Sequence, residues 1–253
     1  MGDRIPGRLV VVEDADALAR EAASEFARRA ERCVAERGRF TVTLSGGSTP
    51  RRLYAALADP AAPFRDGIPW SRVHFFWGDE RHVPPDNTAS NYRMAREELL
   101  ARVPVPTENV HRIEAERPDA ADAAAAYERE LVRFFALAPG QVPRFDLVLL
   151  GMGRDGHTAS LFPGSSALEV RDRLVVAAWI PKLNSDRITL TLPVFNNAAE
   201  ATFLVSGADK AATLRAALDP DGPDGLPCRR IRPAHGDLLW LVDRVAASGL
   251  PAT

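Results

Sequence analysis

Two glycine-bearing loops and one acidic cluster carry the side chains with which this sequence could do chemistry. The first loop, Gly151-Met152-Gly153-Arg154-Asp155-Gly156-His157, follows the strongly apolar run 145–150. Its glycines allow a sharp bend that presents Asp155 and His157 at the edge of a sheet. An imidazole titrates near neutral pH, and a carboxylate within reach fixes its tautomer and raises its basicity, so His157 is the best general-base candidate. The bland reading stays open: Asp155-Gly156 as a simple turn and His157 as a capping or packed side chain, which for a lone histidine is the commoner case. His74 falls inside an expected strand, and His82, His111 and His235 have no glycine-rich frame; no histidine or cysteine spacing suggests zinc.

The second loop is Ser45-Gly46-Gly47-Ser48-Thr49-Pro50. Backbone N–H groups and hydroxyls here could cradle a phosphate against the positive end of a helix dipole. The loop is neither a Walker A motif, since no lysine follows, nor a dinucleotide fingerprint, and an ordinary strand-to-helix turn fits it equally. The acidic cluster Gly78-Asp79-Glu80-Arg81 ends an apolar run and brings two carboxylates and a guanidinium together. One acid could assist catalysis while Arg81 pairs with an anion, and a solvated loop with an ion pair is the plainer alternative. Lys182, Arg187 and Lys210 invite the same weighing. Lys182 and Lys210 are the only lysines among 32 basic residues, and both fall beside expected strand ends.

These residues need elements to hold them. Apolar runs alternate with helical stretches along most of the chain, the rhythm of βαβ units, which predicts an α/β fold: a mostly parallel, Rossmann-like sheet with helices on both faces. Strands are expected over 9–12, 40–44, 73–77, 145–150, 174–180, 187–192, 201–206 and 238–242. Asp14 reads as the N-cap of a helix running to about 36 and ended by Arg37-Gly38. A helix over 51–58 has Thr49 as N-cap and Pro50 as its first residue. Further helices are expected ending near 101, over 119–137 and over 209–218. In such sheets ligands bind outside the carboxyl ends of the strands, where all three segments fall.

Composition bounds the rest. The 253 residues show no internal repeat or compositional break, so one domain spanning 1–253 is expected. A net charge of −2 gives no global basic field for nucleic acid or an anionic membrane, so any anionic ligand must be held locally. Cys33 and Cys228 lack redox or metal spacing, and no apolar stretch approaches the length of a membrane span, which points to a reduced, cytoplasmic setting. Neither metal nor nucleotide cofactor is expected, and oligomeric state cannot be read.

Taken together and in order, the loop at 45–50, Gly78-Asp79-Glu80-Arg81 with Asn91 downstream, the stretch GMGRDGHTASLFP from Gly151 to Pro163, and Arg187-Ile188-Thr189-Leu190-Thr191 with Lys210 resemble the 6-phosphogluconolactonase family. The resemblance covers about residues 8–245, and the segment containing His157 is its most specific element. It implies hydrolysis of 6-phospho-D-glucono-1,5-lactone to 6-phospho-D-gluconate, the second step of the oxidative pentose phosphate pathway, with His157 activating water. Asp79 and Asp155 would orient the histidine or the sugar hydroxyls. The phosphate would lie at Ser45, Gly46, Gly47, Ser48 and Thr49, with Arg187 and Lys210 carried over from the wider group and Arg81 and Lys182 as further cations. That group includes glucosamine-6-phosphate deaminases, which carry Asn-Glu-Pro close behind the histidine; here Ser160-Leu161-Phe162-Pro163 occupies that stretch. A non-catalytic sugar-phosphate sensor is the other rival, and no helix-turn-helix or basic arm is read before residue 8.

Overall fold

In a computed structural model that describes residues 7–251, six parallel strands form the central sheet. In chain order the strands are β1 (Arg8–Val12), β2 (Phe40–Leu44), β3 (Val73–Trp77), β4 (Asp79–Arg81), β5 (Leu147–Leu150), β6 (Val175–Ile180), β7 (Ser185–Leu190), β8 (Glu200–Val205) and β9 (Asp237–Asp243). The central sheet has the order β1-β9-β8-β5-β2-β3, and a second sheet, β4-β7-β6, is antiparallel. The helices are α1 (Ala15–Arg37), α2 (Ser48–Ala58), α3 (Asn91–Ala95), α4 (Ala120–Phe135), α5 (Leu192–Phe195) and α6 (Ala211–Leu218). Residues 1–6 and 252–253 of the expected single domain lie outside the described residues.

Local chemistry sets the element ends. Asp14 Oδ1 accepts from the N–H groups of Asp16 and Ala17, satisfying first-turn donors of α1, and Gly38 closes that helix at φ +76. β2, β5 and β8 are buried on both faces; β5 is accordingly an unbroken apolar run, while β2 also buries Thr41 and Thr43 and β8 also buries Glu200 and Thr202. Successive residues of a strand point to opposite faces, and β3 shows what lies on each. Phe75 meets Phe26 of α1 at 6.3 Å, whereas Phe76 meets Phe134 of α4 at 5.0 Å. Helices therefore cover both faces of the sheet.

The strand order creates one switch point. From β2 the chain proceeds outward to β3, then returns to β5 on the other side of β2 and continues away through β8 and β9. The turns leaving β2 and β5 thus splay in opposite directions and open a crevice at the carboxyl end of the sheet. Both glycine-bearing loops leave from these two strands.

Three expectations need correction. Helix α2 begins at Ser48, with Gly47 at φ +108 in the N-cap position and no side-chain cap, so Thr49 lies inside the helix. Leu192 is not a strand residue: β7 ends at Leu190, and Pro193 falls in the first turn of α5. Asp79-Glu80-Arg81, expected as a loop after a strand, is itself β4, paired antiparallel with β7. Among the described residues no helix is long and apolar enough to cross a membrane, and Cys33 and Cys228 are buried free thiols.

Candidate active site

The crevice contains a cavity of about 220 Å³ lined by residues 45–50, Asp79, Arg81, Asn91, Gly151, Met152, Gly153, His157, Ala159, residues 204–206 and Lys210. All three segments singled out in the sequence meet here, at the ends of β2, β3 and β5.

Two buried tyrosines fix the backbones beneath it. Tyr54 of α2 donates its hydroxyl to Ser45 O at 2.7 Å and accepts from Ser45 N–H at 2.9 Å. Tyr127 of α4 does the same for Trp77, at 3.0 and 2.9 Å. Burial pushes the hydroxyls of both tyrosines up, so each remains a neutral donor and acceptor. With Gly47 as an uncapped N-cap, the first-turn N–H groups of α2 have no side-chain acceptor at the cavity wall. That arrangement favours an anion.

The loop after β5 is a tight frame around His157. Gly153 N–H donates to His157 O at 2.8 Å, Gly156 N–H donates to Gly153 O at 3.0 Å, and Gly156 adopts φ +74. Asp155 Oδ1 lies 2.5 Å from His157 Nδ1 and accepts from His157 N–H at 3.2 Å. Partial burial disfavours the Asp155 charge, but the Lys182 ammonium and the two His157 donors outweigh it and hold the carboxyl well below the usual range. An ionised Asp155 keeps the proton on Nδ1 and leaves Nε2 as the basic nitrogen. The Phe162 ring stacks on the imidazole at 4.3 Å. Beside it Ala159, which lines the cavity, holds φ +47, a left-handed conformation uncommon for a residue with a Cβ.

The acidic cluster divides its labour. Glu80 is buried and accepts from the N–H groups of Arg81, Asn91 and Tyr92 and from Ser90 Oγ, so it ties β4 to the start of α3. Burial pushes its carboxyl up against the pull of those donors. Asp79 faces the cavity instead: Ser160 Oγ donates to its Oδ2 at 2.6 Å, and Asn91 Nδ2 donates to its backbone oxygen at 3.0 Å. Asp155, not Asp79, therefore contacts the imidazole. Asn91 also presses on the phosphate-type loop, where a Cβ on Gly46 would lie 1.9 Å from its Oδ1.

The expected cations are distributed unevenly. Arg81 and Lys210 line the cavity; Arg81 donates to Ala89 O at 2.6 Å, and Lys210 Nζ lies 3.3 Å from Asp209. Arg187 pairs opposite Arg81 in the β4–β7 ladder and lies outside the lining; burial and the Arg81 charge lower its pKa. Lys182 also lies outside the lining and forms an ion pair with Asp155. Sequence reasoning missed the tyrosine anchors, the Asp79–Ser160 bond and the Glu80 knot. Only Ser160, inside the specific GMGRDGHTASLFP stretch, carried any signal. Among the described residues no group of three or more His, Cys, Asp or Glu side chains is placed to hold a metal ion.

The family model described as glucosamine-6-phosphate isomerases/6-phosphogluconolactonase matches residues 13–240. A protein named 6-phosphogluconolactonase from Nostoc sp. is 44% identical over 241 residues, covering 95% of this chain and 97% of its own. Its namesake from Synechocystis sp. is 44% identical over 223 residues, covering 88% and 89%. The solved structure of 6-phosphogluconolactonase from Trypanosoma brucei superposes with a TM-score of 0.86 at 29% identity, over 98% of this chain and all of that one. A monomeric glucosamine-6-phosphate deaminase, at 20% identity and a TM-score of 0.78, shares the fold. With a match to most of its length and relatives this similar, the chain belongs to the glucosamine-6-phosphate isomerase/6-phosphogluconolactonase family.

Proposed function

We propose that the protein hydrolyses 6-phospho-D-glucono-1,5-lactone to 6-phospho-D-gluconate, with His157 as general base. The observation that carries this reading is the Asp155–His157 pair at the wall of a cavity whose other wall is the uncapped N-terminus of α2. One side offers a base with a free Nε2; the other offers amides, Arg81 and Lys210 to a phosphate dianion.

The chemistry is compact. Nε2 takes a proton from water as the oxygen adds to the C1 carbonyl, giving a tetrahedral oxyanion and an imidazolium. Collapse breaks the bond between C1 and the ring oxygen, and the imidazolium returns its proton to that oxygen. The new carboxylic acid then loses its proton to solvent. A δ-lactone hydrolyses readily on its own, so one oriented base and a bound phosphate supply enough transition-state stabilisation without a covalent nucleophile. Asp79, held by Ser160 and Asn91, would accept from a sugar hydroxyl in this reading. We place this reaction in the cytoplasm, performed by a single α/β domain without nucleic-acid partner or metal.

The family also contains deaminases, and the segment behind His157 argues against that activity here. Where those enzymes carry Asn-Glu-Pro, this chain has Ser160 bound to Asp79 and Phe162 stacked on the base. A continuous assay of freshly generated 6-phosphogluconolactone, corrected for spontaneous hydrolysis, tests the proposal. Catalysed hydrolysis is expected; ammonia release from glucosamine 6-phosphate with no lactone turnover would overturn it.

A further inference from the structure

Lys182 follows β6 at the tip of the β6–β7 hairpin, and its Nζ forms an ion pair with Asp155 Oδ2. The other oxygen of that carboxylate is the one bonded to His157 Nδ1. The same Nζ lies 4.5 Å from the centre of the Phe162 ring, and the imidazole stacks on that ring at 4.3 Å. The lysine therefore touches both groups that touch the base, and it lies outside the lining of the cavity that would hold substrate. We propose that Lys182 is a positioning residue that sets the basicity of His157 through Asp155 and Phe162. This inference rests on the reading of His157 as the general base.

The physical argument concerns one carboxylate shared by two cations. Asp155 stabilises the imidazolium and so draws a proton onto His157. An ammonium on the second oxygen offsets part of that charge and repels an imidazolium directly, so the two contacts of Asp155 pull on the base in opposite directions. The Phe162 ring meets Lys182 through its electron-rich face, which favours the ammonium in this position. The pair also fixes the carboxylate geometry, so the Nδ1 proton and the ring orientation are held together.

Other charges surround the base, and all persist when Lys182 is changed. Asp79 and Arg81 of β4 and Lys210, in the turn before α6, line the same cavity, and Lys210 is paired with Asp209. Arg154, on its own loop, is paired with Asp209. From the turn at Pro227–Arg230, Cys228 donates its N–H to Gly156 O, and burial pushes its thiol up to about 12, so it stays neutral. A change of one side chain at Lys182 therefore isolates its own contribution.

The test compares wild type with Lys182→Met and Lys182→Arg by the pH dependence of kcat/KM, together with the NMR titration of the His157 imidazole in the substrate-free protein. Lys182 is half-exposed, so neither variant should disturb the core. In Lys182→Met the acid limb should move up by about one pH unit with KM within about twofold of wild type, and Lys182→Arg should restore the limb. The imidazole titration should shift by the same amount. An unmoved limb with KM raised about tenfold would overturn the inference and make Lys182 a phosphate ligand. An unmoved limb with uniformly lower kcat would overturn it in favour of simple packing. If wild type fails to hydrolyse the lactone, the functional reading falls, yet the imidazole titration still decides the role of Lys182.

Discussion

Gly153 lies so close to His157 that a Cβ on it would stand 2.0 Å from the imidazole Nδ1 and 2.8 Å from Asp155 Oδ1. The glycine is thus the floor on which the Asp155–His157 pair rests, and its missing side chain is the space the pair occupies.

Gly153→Ala should displace both side chains while leaving the sheet intact. A misplacement near 1 Å costs about a hundredfold in rate, so kcat/KM should fall at least that far. Unchanged circular dichroism with near-normal turnover would show that the pair does not need this floor.

His157→Ala should lower kcat by about 10²–10⁴ with KM little changed, because the base acts on the transition state and the α2 terminus binds the ground state. Steady-state kinetics separates the two parameters. Equal losses in binding and turnover would contradict the division of roles.

Lys210→Ala should raise KM by about tenfold or more, as expected for loss of a charge-assisted contact to phosphate, with a smaller effect on kcat. Arg187→Ala should also weaken binding, through Arg81, which it faces across the β4–β7 ladder. Inhibition by 6-phosphogluconate gives an independent measure. An unchanged KM in both variants would place the phosphate elsewhere.

Away from the site, His74 Nδ1 meets His111 Nε2 at 3.2 Å, and His111 Nδ1 meets Glu130 at 2.8 Å. Burial comes first, followed by the mutual charge for His74 and Arg133 for His111, and lowers both rings from 6.5 to about 4. Between those values the unfolded chain binds protons that the folded pair refuses, so stability is lost as pH falls from 6.5 towards 4. After allowance for partly exposed rings, the loss should be roughly 2 kcal/mol. Urea unfolding across this range measures it, and His74→Leu should flatten the slope; a slope unaltered in that variant would exclude the pair as its source.

What the sequence disclosed was whatever is encoded locally. Asp14 and Gly38 announce α1 by their chemistry, and β2 and β3 are short, mostly apolar runs with the boundaries expected of them. The sheet of β4, β6 and β7 stayed hidden because β4 is only three residues long and draws its order from a partner over a hundred positions away. Thr49 read as a cap because threonine is a good one; the structure places Gly47 there, whose φ of +108 few other residues tolerate. Segments around Asp79, His157 and Lys210 were legible as polar groups at strand ends. That Lys182 meets Asp155, or that Ser160 meets Asp79, depends on where the hairpin and the loop fold back, which no spacing along the chain records.

The pairing of β1 with β9 joins the first described strand to the last, register Arg8↔Leu239. During synthesis β1 therefore leaves the ribosome long before its partner strand, and the sheet closes there only once β9 has emerged. Until then the edge of β8 that β9 will cover stays open to mispairing.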